Sequence, residues 1–169
     1  MNEHIRQILI ILQELTDEHK QLVEYGKAKT EAIRNNNIDG IAYISNKEKK
    51  SLDHIVELEQ SRAYLVGKYM LSQKMVNRQQ RTYKMEQLIQ VVFHPEEKLQ
   101  LQRMWKELGA AVTELQDLNE FNQQLVKMTL EYLHFSQDLL LGPEDDDYTY
   151  HRAVQGMVNN RSGRFNIKM

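Results

Sequence analysis

The sequence predicts an all-α fold: an elongated antiparallel helical hairpin plus a third long helix, packed as a coiled-coil-like bundle with a flexible C-terminal tail. Three observations carry this. Only 2 prolines and 7 glycines in 169 residues leave little material for the turns of a β-rich chain. Apolar residues recur at alternating three- and four-residue steps over whole segments such as Asn2 to Arg34. The two clearest interruptions, "NNNIDG" at Asn35 to Gly40 and His94-Pro95, fall between such segments.

The first helix, 2–34, has the seam Ile5, Ile8, Leu12, Leu15, His19, Leu22, Gly26, Lys29 and Ile33. The asparagine-rich turn then supplies poor helix formers, and Ile41, Ile44, Leu52, Ile55, Leu58, Leu65 and Tyr69 mark a second helix, 38–72. So short a connection favours an antiparallel hairpin. With its centre near residue 37, the hairpin brings Lys29 close to Glu48 and Arg62 close to Glu14 or Glu18, and Glu59 can brace Arg62 from one turn away. Residues 73–94 form a linker in which "KMEQLIQVVF" supplies one short helical or apolar docking segment. Pro95 suits a first helical position, and Glu96 and Glu97 suit the positive end of the helix dipole, so the third helix runs over 95–141. Its seam is Leu101, Met104, Leu108, Ala111, Leu115, Leu118, Asn122, Leu125, Thr129, Tyr132, Ser136 and Leu139. Gly142-Pro143 ends it. Residues 1–141 thus read as one helical domain, and 142–169, polar with isolated apolar residues, as a tail disordered until it meets a partner.

Composition narrows the function. A net charge of -2 gives no case for nucleic acid or an anionic membrane surface. No apolar run approaches the roughly 20 residues of a bilayer span, so no direct membrane insertion is expected, and the N-terminal segment reads as a helix rather than a signal peptide. The absence of cysteine excludes disulfides, thiolate metal sites and cysteine nucleophiles, and suits a reducing cytosol. No phosphate loop, nucleophile elbow or dinucleotide fingerprint occurs, so neither enzymatic activity nor a cofactor is expected. A di-iron bundle needs two Glu-x-x-His motifs, and only Glu131 to His134 matches. His94-Pro-Glu96 begins like a deaminase signature whose cysteines are missing.

The informative element is the third helix. A lone asparagine at a seam position commonly fixes register, which is the structural reading of Asn122. Apolar residues also occupy two neighbouring stripes, Leu115, Leu118, Leu125, Tyr132 and Leu139 on one and Val126, Leu130, Leu133 and Leu140 on the other. That is a wider face than a hairpin need cover. Two readings of the excess stay open: a groove for an amphipathic partner helix, and self-association into a dimer. Met70, Met75, Met85, Met104 and Met128 add adaptable apolar surface.

The chain resembles the FlgN-type flagellar export chaperone family. The resemblance rests on Leu15-x-x-Glu18-His19-x-x-Leu22, on Lys27 and Lys29 before Ala32, on the turn of low helix propensity, and on Glu48 followed by Leu52-x-x-Ile55-x-x-Leu58-Glu59-x-x-Arg62-x-x-Leu65. It continues in Asn119-x-x-Asn122-x-x-Leu125 of the third helix and covers roughly Ile5 to Leu140. It implies a cytoplasmic chaperone that binds the helical C-terminal ends of hook-filament junction (hook-associated) proteins, keeps them from assembling early and delivers them to the type III export gate. The implied client-binding residues are Leu118, Asn119, Asn122, Leu125, Val126, Thr129, Leu130 and Leu133. Tyr132 is the implied docking residue for the gate's cytoplasmic domain, with Tyr148 and Tyr150 as alternatives. A homodimer in the client-free state, and a coiled-coil adaptor acting through that homodimer, are the competing expectations.

Overall fold

A computed structural model describes residues 2–74 and 83–142. Helix α1 spans Glu3–Arg34, α2 Ile38–Ser72, α3 Met85–Val91 and α4 Pro95–Leu141. Every described element is therefore helical, as the periodicity predicts. The expected tail, with Tyr148, Tyr150 and the acidic stretch Glu144 to Asp147, lies outside the described residues.

Local chemistry sets the boundaries. The Asn2 side chain accepts the His4 N–H at 3.0 Å and so caps α1. At the other end Asn36 takes φ 50, a left-handed conformation that asparagine tolerates better than most residues. The N–H of Asn37 then reaches the Ala32 carbonyl at 2.9 Å and that of Asn36 the Ile33 carbonyl at 3.0 Å, the paired bonds of a Schellman stop. Asn37 also opens α2, its side chain accepting the Gly40 N–H at 2.9 Å. Three consecutive asparagines thus end one helix and begin the next. Gly142, at φ 77, follows the last residue of α4.

The chain divides into two compact units, Met1–Val126 and Lys127–Met169. In the first, α1 and α2 run antiparallel and α1 and α4 parallel, and the core comprises Ile5, Ile8, Leu12 and Leu15 of α1, Leu58, Val66, Tyr69 and Met70 of α2 and Leu101, Met104 and Leu108 of α4. Met85, Leu88, Ile89 and Val92 of the short segment between α2 and α4 join the same cluster, so the apolar docking segment expected there is present as α3.

Lys29 donates to Glu48 across the hairpin, as the turn position predicts. Arg62 does not reach Glu14 or Glu18. Its guanidinium instead forms a two-point pair with Glu59, at 3.0 and 2.6 Å, and lies 5.7 Å from the centre of the Trp105 ring. Glu18 is taken by His54, whose Nδ1–H donates to it at 2.8 Å. His54 lies eight residues, about two helical turns, before Arg62. Leu52, placed on the α2 seam by spacing, is exposed, and its neighbour Ser51 is buried.

Candidate functional site

In the first unit, the α1–α4 seam tightens around one glycine. Gly26 is buried, and a Cβ placed on it would lie 2.6 Å from Leu118 Cδ2. Lacking that carbon, Gly26 lets α4 come close enough for the Asn122 amide to bond the α1 backbone: Nδ2–H donates to the Gly26 carbonyl at 2.9 Å. Asn122 Oδ1 accepts the Thr30 hydroxyl at 2.6 Å. The Gly26 carbonyl already serves its own helix, and its second lone pair receives the amide. Asn122 is only 5% exposed, so both ends of its amide are committed inside the bundle. At the rim, Lys20 reaches Glu107 at 2.8 Å and Lys27 reaches Glu114 at 3.8 Å. The hydrogen bond from Lys20 holds the Glu107 carboxyl below the usual carboxylate range.

The sequence-derived site residues separate into two groups. Leu118 and Leu125 are half-buried, Asn119 is exposed, and Val126 is exposed at the end of the first unit. In the second unit, α4 continues with Thr129 half-buried and with Leu130 and Leu133, 51% and 49% exposed. Tyr132, placed on the seam by periodicity, is 69% exposed. Its phenol and ring face solvent.

The structure also exposes Phe135 and Leu141, which the sequence reading passed over. Met128, Phe135 and Leu139 follow Tyr132's own stripe at heptad spacing, and all are exposed, as are Leu140 and Leu141. The signal was legible: over 126–141 the charged residues and histidine are confined to the stripe of Lys127, Glu131, His134 and Asp138, and so wide an apolar remainder needs burial or a partner. Glu131 of the lone Glu-x-x-His match lies 4.0 Å from Lys127. Among the described residues no group of three or more potential ligands could hold a metal ion, and no helix is long and apolar enough to cross a membrane.

Comparison with known proteins decides the family. The family model described as "FlgN protein" matches residues 1–155. The chain belongs to the FlgN family. FlgN proteins are flagellar export chaperones, a chaperone family and not a family of enzymes. The chain is also similar to the uncharacterized protein YvyG of Bacillus subtilis (strain 168), 22% identical over 147 residues that span 85% of this chain and 84% of the relative. No solved structure matches it.

Proposed function

We propose that this FlgN-family chain acts in the cytoplasm, binding the helical C-terminal ends of hook-associated proteins, preventing their early assembly and carrying them to the type III export gate. The observation that carries this reading is the uncovered apolar surface of α4 between Met128 and Leu141. Apolar side chains left in water at this density stabilise a complex when a second amphipathic helix covers them, at about 25 cal/mol per Å² buried. Leu130 and Leu133 give a client helix its anchors, and Val126 extends the stripe. Leu118 and Leu125 keep only part of their surface free. Asn119 remains open to a client's polar groups, whereas Asn122 is committed to Thr30 and Gly26 of α1. Tyr132 stands in solvent, which suits docking on the gate's cytoplasmic domain.

The test is calorimetric titration with peptides from the C-terminal helices of the same cell's hook-associated proteins. Saturable one-to-one binding is expected, weakened at least 100-fold by Leu130→Asp with Leu133→Asp, with helicity unchanged. Because both residues are exposed, their replacement leaves the buried core intact. Absence of binding by the folded wild-type protein would remove the proposal. The same apolar stretch also fits a coiled-coil adaptor that homodimerises through α4. Mass in solution separates the two readings: a client peptide that converts the protein into a one-to-one complex supports the chaperone, and an obligate dimer indifferent to peptide supports the adaptor.

A further inference from the structure

Between α1 and α4 the first unit leaves a groove open to solvent, with a volume of about 350 Å³. It is lined by Leu9 and Ile10 of α1, by Met104 of α4, by two glutamines and by two arginines, Arg6 of α1 and Arg103 of α4. Met104 belongs to the core and Leu9 packs against it. Ile10 is 50% exposed, although Ile8 and Leu12 on either side of it in sequence are wholly buried. A lone isoleucine on a helix surface is ordinary. One that shares a concavity with a leucine and a methionine is apolar surface that a ligand side chain can cover.

The charges of the groove have one sign, since both charged residues that line it are arginines. Nearby acids are taken or loosely held. Glu107, one turn after Arg103, accepts from Lys20 at 2.8 Å. Glu3 divides its oxygens between Gln7, at 3.1 Å, and Arg6, at 3.5 Å. The Arg6 and Glu3 side chains are 59% and 61% exposed, and so exposed a pair is worth little and gives way to a better-placed carboxylate. Arg103 has no ion pair among the described residues. A guanidinium receives a carboxylate through two parallel N–H donors. A small anion would therefore satisfy the arginines and leave Ile10 wet, and an uncharged apolar ligand would do the reverse. The volume is that of roughly a dozen waters, room for a short peptide's side chains and not for a helix.

We propose that this groove binds a short acidic segment of a partner protein, with an aliphatic side chain set against Leu9, Ile10 and Met104 and flanking carboxylates paired with Arg6 and Arg103. The site lies within the first unit and does not depend on the α4 surface proposed for clients, so the two readings can fail separately.

The test uses the full chain and one synthetic probe, the acetylated and amidated pentapeptide Asp-Leu-Glu-Leu-Asp, followed by methyl NMR. Saturable shifts are expected at the methyls of Ile10 and Met104, with those of Leu130 and Leu133 unmoved. Arg6→Glu with Arg103→Glu should weaken binding at least 10-fold with helicity unchanged, because both side chains are exposed. The same variant should gain binding to Lys-Leu-Lys-Leu-Lys, which wild type ignores, and the Leu130→Asp, Leu133→Asp variant should bind the acidic probe as wild type does. Absence of saturable shifts in the folded wild-type protein, shifts that persist in the arginine variant, or the same shifts produced by inorganic phosphate at equal concentration would overturn the proposal. So would groove shifts that follow protein concentration without any probe, which would give the groove to the acidic stretch Glu144 to Asp147 of a second copy.

Discussion

Replacing the Asn122 amide by a carboxyl tests the α1–α4 seam at its most specific point. In Asn122→Asp the oxygen that accepts from Thr30 is kept, while the Nδ2–H donor to the Gly26 carbonyl becomes an oxygen facing that carbonyl. Losing the donated bond costs about 1 kcal/mol. Holding an ionised, partly bonded carboxylate at a site 5% exposed, against a carbonyl oxygen, adds about 2 kcal/mol. The variant should therefore be about 3 kcal/mol less stable than wild type at pH 7. Burial raises the introduced carboxyl above the usual aspartate range, so on acidification the native state takes up its proton before the unfolded chain does. The protonated group can donate to the Gly26 carbonyl again, and the destabilisation should shrink to about half by pH 5. Urea unfolding followed by circular dichroism, wild type and variant compared at each pH, reads the difference. Asn122→Ala, with no charge, should cost about 2 kcal/mol at both pH values. A deficit for Asn122→Asp below about 0.5 kcal/mol at pH 7, or one that does not change with pH, would refute the reasoning.

Other residues give independent checks. The hydrogen bond to Glu18, aided by the charges of Glu18, Glu57 and Glu14, raises the His54 pKa above its ordinary value. Its stabilising effect is therefore complete below about pH 6.5 and is lost as pH rises through the folded value. The stability difference between wild type and His54→Ala should be larger at pH 6 than at pH 8, and the opposite order would contradict the pairing. Lys29 and Glu48 have side chains only 21% and 15% exposed, so a double-mutant cycle with Lys29→Met and Glu48→Gln should return a coupling of about 1–2 kcal/mol, above the level of surface pairs. Because Asn36 is left-handed, Asn36→Gly should be neutral or stabilise by up to about 0.5 kcal/mol, and Asn36→Val should destabilise by about 1–2 kcal/mol. Thermal unfolding of the two variants side by side measures this.

Much of the architecture was determined by the sequence itself, because helix boundaries and faces are local properties. The asparagine turn, Pro95 and Gly142 stop and start helices through bonds made within a few residues, and the three- and four-residue spacing fixes which side chains share a stripe. Asn122 on the seam and Lys29 opposite Glu48 follow from that spacing and the turn position. Spacing does not say which stripe finds a partner. Thr30, which bonds Asn122 92 positions later, lies four residues before the end of α1 at Arg34. Seam residues up to Asn122 are covered or half-covered, and Tyr132, with the same sequence credentials, is exposed. Arg62 likewise chose Glu59 and the Trp105 ring over Glu14 and Glu18, since α4, an element remote in sequence, supplies the ring. Which apolar face remains for a partner depends on where one helix ends beside another, a quantity set by three-dimensional packing and carried by no local pattern.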